Sequence, residues 1–93
     1  MHMTTDKEVT ITIKYLVNLS EKSGRREEEA ALPIGSTLHD VIRYLKEIRN
    51  IILPNPTILT ILNGKGWDQY PDKLNTPVSE GDLVLLVPPI SGG

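Results

Sequence analysis

From Val9 to Val17 apolar and polar residues alternate with period two, and most are β-branched. That pattern predicts a strand with Val9, Ile11, Ile13, Tyr15 and Val17 facing inward and Leu16 facing the other way. Asn18 to Arg25 is polar, contains Gly24 and reads as a hairpin loop. Arg26 to Leu32 predicts a second strand. Its three consecutive glutamates mark a solvated edge rather than a binding site. Next comes Pro33-Ile34-Gly35-Ser36-Thr37, a break followed by a helix start. Thr37 as N-cap puts Asp40 at N3, a variant of the capping box, and Ser36 is nearly as good a cap. Leu38, Val41, Ile42, Leu45 and Ile48 follow at spacings of three and four. They form one apolar helical stripe, with Arg43, Lys46, Glu47 and Arg49 turned outward. The helix should stop near Arg49 or Asn50, because Pro54 and Pro56 forbid its continuation.

The second half is less regular. Thr57 to Asn63 predicts a third strand, closed by the turn-forming pair Asn63-Gly64. Lys65 to Ser79 is irregular, Glu80-Gly81-Asp82 is a turn, and Leu83 to Val87 is a last strand. Hairpin, helix, strand, irregular stretch and strand make an α+β layout, a mixed sheet of about four to five strands packed on one main helix. The expected division is a disordered or vector-derived start over 1–8, one domain over 9–87 and an extended tail over 88–93.

Residues 83–87 and most of 58–62 are apolar on both faces, which normally requires two covering layers. One amphipathic helix covers one face. The other is covered either by residues 65–79, with Trp67 and Tyr70, or by a protein partner. In the second case the docking patch is one alternate set of these strands, taken as Leu59, Ile61, Val84 and Leu86 with Leu16 beside them.

Composition then narrows the chemistry. The 93 residues hold one core. It is aliphatic: 10 Ile, 12 Leu and 6 Val against no Phe, one Trp and three Tyr. Zero Cys removes disulfides, thiol nucleophiles, iron–sulfur clusters and Cys-based zinc sites. A net charge of −2 argues against nucleic-acid binding by phosphate neutralisation. The longest apolar run, Leu83 to Val87, is far too short to span a membrane. Met1-His2-Met3 leads into a polar stretch rather than a signal peptide, so the expected location is cytoplasmic. Of the two histidines, His2 lies at the start and His39 on the solvent side of the helix, with no cysteine to partner it. Gly64-Lys65-Gly66 lacks the frame of a phosphate loop. Asp68, Asp72 and Asp82 fit turn chemistry. Neither a metal site nor a catalytic side chain emerges.

The tail carries the strongest signal. Pro88-Pro89 stiffens the exit from the last strand, and Gly92-Gly93 has no side chains. A chance Gly-Gly end has odds of about one in two hundred from glycine usage. Two terminal glycines can thread a narrow active site where any Cβ would clash. The reactive group is then the α-carboxylate of Gly93, activated by another enzyme as an acyl-adenylate.

Gly81-Asp82-x-Val84 followed by Pro88-Pro89-Ile90-x-Gly92-Gly93 closely resembles the C-terminal signature of the small subunit of molybdopterin synthase, a ubiquitin-like sulfur carrier of the MoaD/ThiS superfamily. A looser likeness runs over residues 9–93. The resemblance implies a β-grasp fold and a carrier with no cofactor of its own. An E1-like enzyme would use ATP to adenylate Gly93, sulfur would enter as a thiocarboxylate, and the large synthase subunit would receive the tail. Pro88, Pro89, Ile90, Ser91 and Gly92 would be the recognised tail. The stretch from Asn63 to Gly81 is longer than the family pattern, which bears on the partner. The same fold and tail serve thiamine synthesis, tRNA thiolation and protein conjugation, and a non-reactive interaction domain is the reading from another class.

Overall fold

The computed structural model describes residues 7–16 and 26–88. The first strand, β1 (Glu8–Tyr15), starts one residue inside the segment expected to be disordered. Its alternation is realised as burial. Ile11, Ile13 and Tyr15 are buried, while Thr10, Thr12 and Lys14 lie on the other face. Val17 and most of the expected loop lie outside the described residues. The second strand, β2 (Glu27–Pro33), runs antiparallel to β1, with Ile11 opposite Ala30 and Ile13 opposite Glu28.

The helix α1 (Leu38–Arg49) starts where its capping chemistry predicts. The Asp40 carboxylate accepts from the Thr37 backbone N–H at 2.8 Å. The helix ends on Asn50 in the left-handed region, φ 58°, and the Ile51 N–H closes onto the Leu45 carbonyl at 3.0 Å. Leu38, Val41 and Leu45 are fully buried and Ile42 is half-buried. Ile48 departs from the expected stripe, at 56% exposed. By the last turn the stripe has drifted off the sheet, and Arg49, expected to point outward, takes the inward place instead.

After α1 the chain returns through Ile51, Leu53 and Ile58, all buried. The strand β3 (Leu59–Leu62) is shorter than the predicted 57–63. Asn63 and Gly64 turn it at φ 51° and 88° into β4 (Lys65–Gly66), as an Asn-Gly pair should. Single 3-10 turns follow at Trp67–Gln69 and Lys73–Asn75. The last strand, β5 (Leu83–Val87), inserts between β1 and β3, parallel to the first and antiparallel to the second. The five strands form one mixed sheet in the order β2-β1-β5-β3-β4.

Residues 65–79 pack on the helix side of this sheet. Trp67 and Val78 are buried in the same core as Leu45 and Leu62. The Leu38 N–H donates to Thr76 O at 3.0 Å and the Val78 N–H to Ser36 O at 2.9 Å, tying the stretch to the helix start. It therefore extends the inner layer. Nothing among the described residues lies over the outer face as a second layer.

Candidate functional site

The period of a strand decides which side chains form the outer face. On β5, Val84 and Leu86 are 0% exposed, opposite Ile13 and Tyr15 of β1 and packed in the core. These two cannot meet a partner, which corrects their expected place in the patch. The alternate set, Leu83, Leu85 and Val87, is half-buried and shares its face with Leu59 and Ile61, whose register partners are Val87 and Leu85. Leu59 is 42% exposed and Ile61 half-buried. Leu16, 56% exposed, leaves β1 beside the end of β5, its N–H donating to Leu86 O at 2.8 Å. The outer apolar surface is therefore Leu16, Leu59, Ile61, Leu83, Leu85 and Val87, bordered by Thr12 and Lys14. An apolar surface that no described residue covers is a candidate docking face.

The patch leads to the tail. Val87, opposite Leu59, is the last residue of β5, and exposed Pro88 follows it. The tail-recognition residues Pro89, Ile90, Ser91 and Gly92, and the Gly93 carboxylate, lie outside the described residues. Around the β3 edge, Leu59 and Ile61 also line a groove of about 620 Å³ with Ile42, Pro54, Trp67 and Leu74. The Trp67 indole N–H is buried without an acceptor among the described residues.

The opposite end of β5 is fixed by the turn chemistry expected of its residues. Asp82 accepts from the Ser79 N–H at 2.7 Å and from Asn63 Nδ2 at 3.0 Å, and the Leu83 N–H donates to Asn63 Oδ1 at 2.9 Å. Gly81 sits at φ 85°, where a side chain would be strained. Glu80-Gly81-Asp82 thus sets the register of β5, and through it the place where the tail leaves.

Sequence reasoning missed one cluster on the inner face. Glu28, read as part of a solvated run, is 5% exposed. Its carboxylate accepts from Arg49 Nε at 2.7 Å and Nη2 at 2.6 Å, from the Tyr44 hydroxyl at 2.8 Å and from the Tyr15 hydroxyl. Burial on its own would raise the carboxyl pKa. The hydrogen bonds from Arg49, Tyr15 and Tyr44 outweigh it and hold the group at about 2. Both tyrosines are pushed up, first by burial and then by their bonds to Glu28. The cluster pins the end of α1 to β2 and β1. Strand parity could have found it, since Glu28 is in phase with buried Ala30 and Leu32.

Conventional catalytic geometry does not assemble among the described residues. His39 is exposed, and among the described residues no group of three His, Asp or Glu could hold a metal ion. Among the described residues no helix is long and apolar enough to cross a membrane.

Comparison with known proteins places this arrangement. The sequence has no match among curated proteins. The structure is similar to a putative molybdopterin converting factor subunit 1 from Pyrococcus furiosus, with a TM-score of 0.74 at 22% identity over 88% of this chain and 99% of that one. It is similar to the small archaeal modifier protein 1 from Methanosarcina acetivorans, with a TM-score of 0.72 at 22% identity over 92% and 98%. A third likeness is to the complex of subunits 1 and 2 of the molybdopterin-converting factor from Helicobacter pylori, with a TM-score of 0.60 at 22% identity over 91% and 100%. These likenesses establish the β-grasp, ubiquitin-like fold. The model of the ThiS family matches residues 13–93, most of the sheet, the helix and the whole tail, so the chain belongs to the ThiS family of ubiquitin-like sulfur carriers.

Proposed function

We propose that this protein carries sulfur on its own C-terminus for molybdopterin synthesis. The observation that carries the reading is that the family match runs through Gly92-Gly93 to the last residue. The chemistry needs no catalytic side chain here. The Gly93 carboxylate attacks the α-phosphate of ATP bound to an E1-like enzyme, pyrophosphate leaves, and the mixed anhydride is the activated acyl group. Hydrosulfide then attacks the acyl carbon: the C–S bond forms as the C–O bond to AMP breaks, AMP leaves, and loss of the S–H proton gives the thiocarboxylate. Residues 88–93 thread the partner's channel, where extended glycines fit and side chains do not. The large subunit of molybdopterin synthase takes the sulfur. The outer apolar surface around Leu85 and Leu59 docks both partners in turn. No cofactor is bound by the carrier itself.

The diproline before the tail supports the molybdopterin branch, and the likeness to a molybdopterin-converting subunit agrees with it. A second reading, a modifier joined to other proteins, is favoured by the comparable likeness to small archaeal modifier protein 1. Incubation with ATP and the cognate activating enzyme tests the shared step. Pyrophosphate release is expected from the full chain and not from a chain lacking Gly93. Release from the truncated chain would end the carrier reading. Co-purification from the host then separates the branches: a large synthase subunit supports the first, and lysine-linked conjugates the second.

A further inference from the structure

The two edges of the sheet are finished differently. One carries β4 and the 3-10 turns; the other is β2, which pairs only with β1 among the described residues. The hydrogen-bond parity of β2 is fixed at both ends. The Tyr15 N–H donates to Arg26 O and the Ile34 N–H to Lys7 O, both at 2.7 Å. Even-numbered residues of β2 therefore bond to β1. Glu27, Glu29 and Ala31 turn their N–H and C=O groups toward the open edge. Pro33 has no N–H to offer and closes the usable register at that end.

Beside this edge runs a shallow groove of about 240 Å³ between β2 and α1, lined by Leu32, Pro33, Tyr44, Glu47 and Ile48 among others. Ile48, the stripe residue the core does not use, stands 56% exposed on its wall. Ile34, at the end of β2, is 59% exposed. Glu27 and Glu29 stand exposed on the outer face. The outer-face neighbour opposite Glu27 on β1 is Lys14, at 4.0 Å; opposite Glu29 it is Thr12, which carries no charge.

We propose that this edge takes an extended segment of a protein partner as an added strand, one that alternates basic and aliphatic side chains. Main-chain groups of the segment would pair with Glu27, Glu29 and Ala31. Its outer-face side chains would lie opposite Glu27 and Glu29, where cross-strand pairing favours Lys or Arg. Its inner-face side chains would fill the groove against Leu32 and Ile48. Glu27 and Glu29 repel an acidic strand and gain no partner from a neutral one, and so guard against indiscriminate pairing while admitting a basic strand. This edge lies across the sheet from β3 and β4, so the proposal does not depend on the carrier reading.

The test uses the full chain and a synthetic amidated heptapeptide of alternating lysine and valine. Expected on binding is slowed amide hydrogen exchange at Glu27, Glu29 and Ala31. Ile48→Lys, and separately Glu27→Lys with Glu29→Lys, should each weaken binding by about tenfold or more. Both sets are exposed, and circular dichroism checks that the variants stay folded. A peptide with glutamate in place of lysine should not bind. The proposal is overturned by no binding, by equal binding of the glutamate peptide, or by binding without protection of those three amides. Protection on β3 or β5 instead would overturn it too. So would self-association of the chain alone that the double lysine variant abolishes, since the occupant would then be a second copy.

Discussion

Replacing Glu28 by Gln keeps the shape of the side chain and removes its charge. The carboxylate takes both bonds from Arg49 and one from each of two tyrosines, so an amide nitrogen in place of one oxygen faces donors it cannot accept from. The cost can be worked from the titration. The carboxyl sits at about 2 in the folded protein against an ordinary 4.5. That difference corresponds to about 3 kcal/mol of stability at neutral pH, from 1.36 kcal/mol per pH unit. The folded value is the lower one. The contribution is therefore complete above roughly pH 5 and fades as pH falls from 4.5 toward 2. Urea unfolding of both chains at steps from pH 7 down to pH 2.5 reads it. The wild type should lead by about 3 kcal/mol at pH 7, a large share of a typical domain's 5–15 kcal/mol. The gap should narrow steadily below pH 4.5. A gap that is the same at every pH, or a Gln variant as stable as wild type at pH 7, would refute the account of this cluster.

Leu45→Ala, at a site with no solvent exposure, should lose about 2–5 kcal/mol in the same assay. Ile48→Lys, on the same helix but mostly exposed, should change stability by no more than about 0.5 kcal/mol. Leu85→Lys on the outer face should leave the circular dichroism spectrum unchanged and weaken capture of the activating enzyme in a surface-binding assay. Gly92→Val should keep the wild-type melting temperature and fail in pyrophosphate release, because its Cβ obstructs the channel rather than the fold.

Much of this architecture was legible because local signals and tertiary demands agree. The β1 alternation, the Thr37–Asp40 cap and the Asn63-Gly64 turn each specify their element from a few neighbouring residues. The failures have a common physical origin. Residues apolar on both faces, as in Leu83 to Val87, carry no parity of their own. Only the pairing of Val84 with Ile13 shows which set is inward. Likewise, Glu28 looks like any surface glutamate until Tyr15, Tyr44 and Arg49, distant in sequence, converge on it. The stripe on α1 ran one residue too far because a straight helix turns away from a twisted sheet. Of the candidate site, the tail lies outside the described residues and is argued from its sequence alone, whereas the apolar patch could be assigned to a face of the sheet only from the register of β5.

The central claim is that the Gly93 carboxylate is the chemical business end of the protein. Intact-mass spectrometry tests it most directly. The full chain is incubated with ATP, its activating enzyme and a sulfur source, then measured beside a chain lacking Gly93. The account predicts that the full chain gains the mass difference of one oxygen exchanged for sulfur, located by fragmentation at the C-terminal residue. The truncated chain should gain nothing. A full chain whose C-terminal carboxylate stays unchanged, or a truncated chain that takes up sulfur equally, would contradict it.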